Sequence, residues 1–257
     1  MNNAEYAFAL SLAAGLSTVF GAFVVFFAKS KSDKLMTFSM GFAAGMMISV
    51  SLVEMFSRAN RQLAESLGSA AGSALSALFL ITGAVIAMLL DKLLPHEYAG
   101  GEKKHKNLLR LGTVSTLALA VHNFPEGIAA FISGYSNRGL GMSVAIAIAL
   151  HNIPEGVAIA LPVYYGTGKK GKAFIYTLIA GLAEPFGGFA AMLLLKPFLS
   201  DIMMAAIFAI VAGIMLHISF EELIPSSRQY GHKRLALFAL FTGLCIMPLS
   251  SAFGINI

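Results

Sequence analysis

Apolar stretches about as long as a bilayer is thick recur along this chain, and short polar breaks close each one. A helix needs about 20 apolar residues to cross the hydrocarbon core. Eight segments reach that length, at roughly 6–28, 35–57, 70–90, 108–133, 139–164, 173–195, 202–224 and 235–255. Hydrophobic residues make up 57% of the 257 and charged residues only 12%, a balance that no soluble domain of this length needs. The expected fold is therefore an all-α polytopic membrane protein, one transmembrane domain over residues 1–257 with eight transmembrane helices. Glu5, and the lack of Lys or Arg before Lys29, leave no positive region of the kind that opens a cleaved signal peptide, so the first run reads as a retained helix.

The 18 basic residues orient these spans. Placed on alternate sides, 14 fall in the first, third, fifth and seventh connections, and only Arg58, Arg61, Arg138 and Lys196 fall elsewhere. Positive residues collect on the cytoplasmic face, so both termini are expected outside. This distribution accounts for the net charge of +5 without a nucleic-acid partner.

His122-Asn123-Phe124-Pro125-Glu126-Gly127 returns 29 residues later as His151-Asn152-Ile153-Pro154-Glu155-Gly156. The fourth span runs outward and the fifth inward, so the two copies ride on antiparallel helices as an inverted repeat. A fainter echo pairs residues 44–54, ending at Glu54, with residues 212–222, which hold His217, Glu221 and Glu222. It aligns the second span with the seventh, as expected if spans one to three and six to eight are inverted copies around a central pair (3+2+3). Secondary transporters often show such repeats, with a site near the midplane.

Residues four apart share a helix face, so His122 with Glu126, and His151 with Glu155, can approach one ion. Asn123 and Asn152 add amide oxygens on an adjoining strip. Each motif proline removes an N–H and is expected to disturb the turn before it, freeing carbonyls near Val121 and Leu150. Glu184, followed by Pro185 in the sixth span, is a third intramembrane carboxylate. An unpaired acid at the bilayer centre costs roughly 2.5–3.5 kcal/mol on insertion scales, so three near one another call for cations or protons. One isolated His or Asn is often a helix-packing group; two copies with Glu184 point to divalent ions instead. Cys245 stands alone, which excludes a thiolate site within one chain. Nitrogen and oxygen donors suit Zn²⁺ and also Fe²⁺, Mn²⁺, Co²⁺ or Cd²⁺.

At these residues the chain resembles the ZIP (Zrt/Irt-like) family of divalent-metal transporters over essentially its whole length. Both HN-x-PEG motifs, the Gly-Leu-Ala-Glu segment ending at Glu184 and the Gly-Phe-Ala-Ala-Gly-Met-Met run at 41–47 carry the resemblance. It implies metal uptake into the cytoplasm across a bacterial inner membrane, through a two-metal site at mid-membrane. One metal would be held by His122, Glu126, His151 and Glu155, and the other by Asn123, Glu126, Asn152, Glu155 and Glu184, with Glu126 and Glu155 bridging. The resemblance also makes a homodimer plausible.

Other features carry less. Glu54 and Glu222 read as entrance and exit carboxylates, and equally well as helix-end acids that reach water; Glu221 shares that reading. His217 could join the exit, though a packed histidine fits better. His96 and His105 are the only histidines in the 91–110 connection and read as solvated loop residues. Gly166 to Lys172 imitates the start of a phosphate-binding loop, but Ala173 follows and no strand precedes it, so ATP has no support. Met46 and Met47 fit helix packing. No prosthetic group is expected. The competing readings are an open channel and an intramembrane metal-dependent hydrolase; a zinc hydrolase would need an open coordination position and a separate base, and the HExxH pattern is absent.

Overall fold

The structure is a computed structural model describing residues 2–27, 32–93, 103–195 and 200–252. His96 lies outside the described residues, as does the side chain of His105. The described residues are helical apart from short connections, without a strand among them. The helices are α1 (Asn3–Phe27), α2 (Asp33–Leu67), α3 (Ser69–Leu93), α4 (Lys103–Ser136), α5 (Arg138–Thr167), α6 (Lys170–Ala190), α7 (Asp201–Arg228) and α8 (Lys233–Ala252). Three of the starts, those of α1, α2 and α7, follow capping chemistry. Asn2 and Glu5 form a reciprocal capping box at α1, and the hydroxyls of Ser32 and Ser200 accept from Leu35 N and Met203 N at 3.2 Å. Gly68, at φ +89°, lets the chain double back from α2 into α3.

Among the described residues, six helical stretches are long and apolar enough to cross a membrane: α1, α2, Ser69–Leu89, Gly141–Thr167, Lys170–Leu193 and α7. Helix α4 has ample length at 34 residues, but Arg110 and its polar motif dilute its apolar character. Proline acts more mildly than the sequence suggests. Helices α4, α5 and α6 run on through Pro125, Pro154 and Pro185, because the loss of one N–H leaves the neighbouring turns to hold the helix. The irregular turns lie elsewhere, as π-helical segments at Val50–Phe56, Ala191–Leu195 and Ser219–Leu223. The first and third carry Glu54 and Glu222.

The helices pack as two groups. Helices α1, α4, α5 and α6 contact one another; α2 and α7 contact each other and both α3 and α8; and the groups meet where α2 touches α5 and α4 touches α7. Glycine sets the crossings, because only a residue without a Cβ lets two backbones come this close. A Cβ at Gly127 would overlap the carbonyl of Glu184, and one at Gly187 the carbonyl of Phe124. The same exchange joins Gly156 to Thr18 and Gly21 to Ile153. In the second group Gly45 faces the carbonyl of Leu240 and Gly243 that of Phe42, while Gly213 faces Leu80 and Gly83 faces Ile210. Positions that match in the sequence repeats thus make matching contacts. The methionines Met36, Met40, Met47 and Met215 are fully buried in the main apolar core, and Met46 is buried too.

Candidate metal centre

A single residue, Asn137, separates α4 from α5, and the two helices form an antiparallel hairpin. Their contacts run in opposite order along the chain. Gly112 packs on Val163, His122 approaches Glu155, Glu126 approaches His151, and Gly134 meets Gly141. This pairing carries both motifs to one level, where α6 adds Glu184 through its close crossing at Gly127.

Seven polar residues come to this level, His122, Asn123, Glu126, His151, Asn152, Glu155 and Glu184, none more than 4% exposed. Glu126 Oε1 lies 3.1 Å from His122 Nε2 and 3.0 Å from His151 Nε2, and Glu155 Oε1 lies 3.6 Å from His122 Nε2. His122, Glu126 and His151 each present a ligand atom, all within 4.8 Å of one another. At the other end the amides are anchored by backbone. Asn123 Nδ2 donates to Ala180 O and Asn152 Nδ2 to Ala14 O, both at 3.1 Å, and Asn152 Nδ2 also donates to Glu184 Oε2 at 2.8 Å. Asn123 Oδ1 and Asn152 Oδ1 are left without hydrogen-bond partners in the protein, as are Glu126 Oε2, both Glu155 oxygens and Glu184 Oε1. Buried oxygens in this number, with two imidazoles and no lysine or arginine among them, form a cage suited to cations.

The residues expected along a path divide. Glu54 lines a small cavity with Glu126, Arg58, Phe208 and neighbouring apolar side chains, and its Oε2 is buried without a partner. Glu222 instead pairs with Arg110 Nη1 at 3.4 Å. Glu221 is exposed and His217 half-buried, and neither bonds to the seven-residue cluster among the described residues. In the sequence Arg58 and Arg110 served only as charges that orient the spans; Arg58 stands four residues after Glu54 on one helix, whereas Arg110 meets Glu222 only across two helices.

An all-helical protein with several membrane-length helices around buried, cation-accepting side chains is a multi-pass membrane protein with the makings of an ion carrier. The chain belongs to the ZIP zinc transporter family, a family of transporters rather than enzymes: the profile described as "ZIP Zinc transporter" matches residues 93–251. It is similar to proteins named zinc transporter ZupT, at 40% identity to that of Clostridium perfringens (97% of this chain, 96% of the relative) and 42% to that of Chlorobaculum parvum (95% and 96%). The ZupT of Oceanobacillus iheyensis is 41% identical over 97% of this chain and 98% of its own. These relatives are bacterial, and helical multi-pass proteins of bacteria sit in the inner membrane.

Proposed function

We propose that this chain carries Zn²⁺, and with it related divalent ions such as Fe²⁺, Mn²⁺, Co²⁺ and Cd²⁺, into the cytoplasm through a two-metal site at mid-membrane. The observation that carries this reading is Glu126 Oε1, set within 3.1 Å of two imidazoles in a cage of unpartnered carboxylate and amide oxygens. His122, Glu126, His151 and Glu155 hold one ion; Asn123, Asn152 and Glu184, with the shared Glu126 and Glu155, hold the other. The curated relatives are named zinc transporters, which favours zinc as cargo and leaves the hydrolase reading without support.

In this reading residues 1–257 form a single domain of eight spans, α4 and α8 joining the six apolar stretches, in a 3+2+3 inverted repeat with both termini outside. The matching glycine contacts support that repeat. Helices α4, α5 and α6 hold the ions while the outer repeats move against them, exposing the site to each side in turn. Glu54 serves the outer approach and Glu222 the inner, with Glu221 and His217 beside it. In liposomes loaded with a zinc-sensitive dye, the purified chain takes up Zn²⁺ saturably, and Glu126→Ala lowers uptake at least about 100-fold, more than loss of an outer-shell partner does. Unchanged uptake by that variant removes the proposal.

A further inference from the structure

Glu184 has a counterpart that the doubled motif does not reveal. Residues 14–21 of α1 and 180–187 of α6 agree at five of eight positions, among them Gly15-Leu16 with Gly181-Leu182, and the alignment sets Thr18 against Glu184. The correspondence holds in space. Gly15 and Gly181 each face the other's carbonyl, Ala14 O accepts from Asn152 as Ala180 O accepts from Asn123, and Gly21 and Gly187 make equivalent crossings with α5 and α4. A Cβ on Gly15 would lie 3.0 Å from Glu184 Cβ, and one on Gly181 3.3 Å from Thr18 Cβ. The two side chains therefore leave their helices at equivalent points beside the amide end of the cluster.

The Thr18 hydroxyl is fully buried and has no hydrogen-bond partner in the protein. A helical threonine ordinarily donates to the carbonyl four residues back, as Thr177 does to Ala173 O at 2.9 Å. For Thr18 that carbonyl is Ala14 O, which already accepts from Asn152 and Ser17. Its counterpart Glu184 accepts from Asn152; by the same relation the amide that corresponds to Thr18 is Asn123, whose Oδ1 is likewise unpartnered. Buried polar atoms are seldom left so.

We propose that Thr18 is a selectivity-determining oxygen donor of the metal centre, acting with Asn123 Oδ1 on the ion at the amide end. This rests on the reading of the cluster as a metal centre. A neutral hydroxyl adds an oxygen donor that Mn²⁺ uses better than Zn²⁺ does. It also withholds a fourth carboxylate, and ligand charge sets how tightly an ion is held.

The test is thermal unfolding of the full-length purified chain with and without Mn²⁺ or Zn²⁺, beside competitive uptake in liposomes. Thr18→Val keeps the volume and removes an orphaned hydroxyl, so without metal it melts at or above the parent. Its Mn²⁺-induced rise in Tm shrinks, to an extent equivalent to about 10-fold weaker binding, while the Zn²⁺-induced rise persists and uptake shifts toward Zn²⁺. Thr18→Ser, which keeps the hydroxyl, recovers the parent's preference. Thr18→Asp binds Zn²⁺ more tightly and releases it more slowly. The proposal is overturned if Thr18→Val melts lower without metal and responds to both ions as the parent does, the signature of packing alone. It is also overturned if Thr18→Val matches the parent throughout while Glu184→Gln weakens both ions, an outcome that leaves the metal centre standing. Normal binding of both ions by Glu184→Gln and Glu126→Ala would bring down the metal centre itself, and Thr18's role with it.

Discussion

Glu54 and Glu222 occupy the same place in the repeated helices α2 and α7, each on a π-helical turn, yet they meet different surroundings. Glu54 opens onto a cavity of about 20 Å³ that reaches Glu126, and its nearest cation in sequence, Arg58, sits one turn along the same helix with its guanidinium 5.3 Å from the Phe208 ring centre. Glu222 is bonded to Arg110 of α4, so its cation belongs to the helix group that carries the buried His and Glu cluster. One end admits a water-sized occupant; the other is latched between two groups. Repetition in sequence thus fixes where the carboxylates stand, and the nonrepeated arginines make their surroundings differ. Arg110 matches Gly139 in the central repeat, and Arg58 matches Ser226 in the outer one.

The comparison breaks most severely at Glu126, the residue shared by the open cavity and the cluster. Glu126→Gln keeps the volume and removes the charge between His122 and His151. Zinc uptake in liposomes is expected to fall about 100-fold, and an effect no larger than that of Glu54→Gln would mean the cavity does not lead to the site. The latch comes next. A part-exposed ion pair is worth about 1 kcal/mol, or about a fivefold change in an equilibrium between two states. Arg110→Gln therefore raises opening at the Glu222 end about fivefold. The readout is the rate at which a thiol reagent labels Ser226→Cys, a buried position near Glu222, in a Cys245→Ser background that removes the exposed native thiol. Equal labelling with and without Arg110 would remove the latch. Glu54→Gln has a smaller effect, an increase of about threefold in the KM for Zn²⁺ at unchanged maximal rate, because a carboxylate at the mouth gathers cations without holding them. A loss in maximal rate would make Glu54 part of the binding cage instead.

Much of this was legible before the structure. Each His and Glu pair lies four apart on one helix face, and the antiparallel setting of α4 and α5 followed from counting basic residues, so the imidazole end of the cluster could be drawn from the sequence. The amide end was less accessible. That Asn123 and Asn152 spend their NH₂ groups on backbone and keep unpartnered oxygens depends on the carbonyls of Ala180 and Ala14, which only the glycine crossings bring near. The π-helical turns could not be anticipated either, since the sequence pointed to proline as the source of irregularity and the helices absorb the prolines. Thr18 was overlooked for a different reason. A search for metal-type residues passes over a threonine in an apolar helix, and its significance comes from its match to Glu184 instead of its own chemistry.

The smallest expected effect tests the open end for its electrostatics alone. Arg58 lines the same cavity as Glu54 and Glu126, so it places a positive charge where a divalent cation would approach, and the face of Phe208 holds it there through a contact worth about 0.5–1 kcal/mol. Arg58→Gln removes the repulsion and leaves Glu54 in place. The KM for Zn²⁺ is expected to fall about twofold at low ionic strength, and the difference from the parent should fade as salt shortens the screening length to about 3 Å near 1 M. A change that survives high salt would be one of packing against Phe208, and the contrast between the two ends would then rest on shape instead of charge.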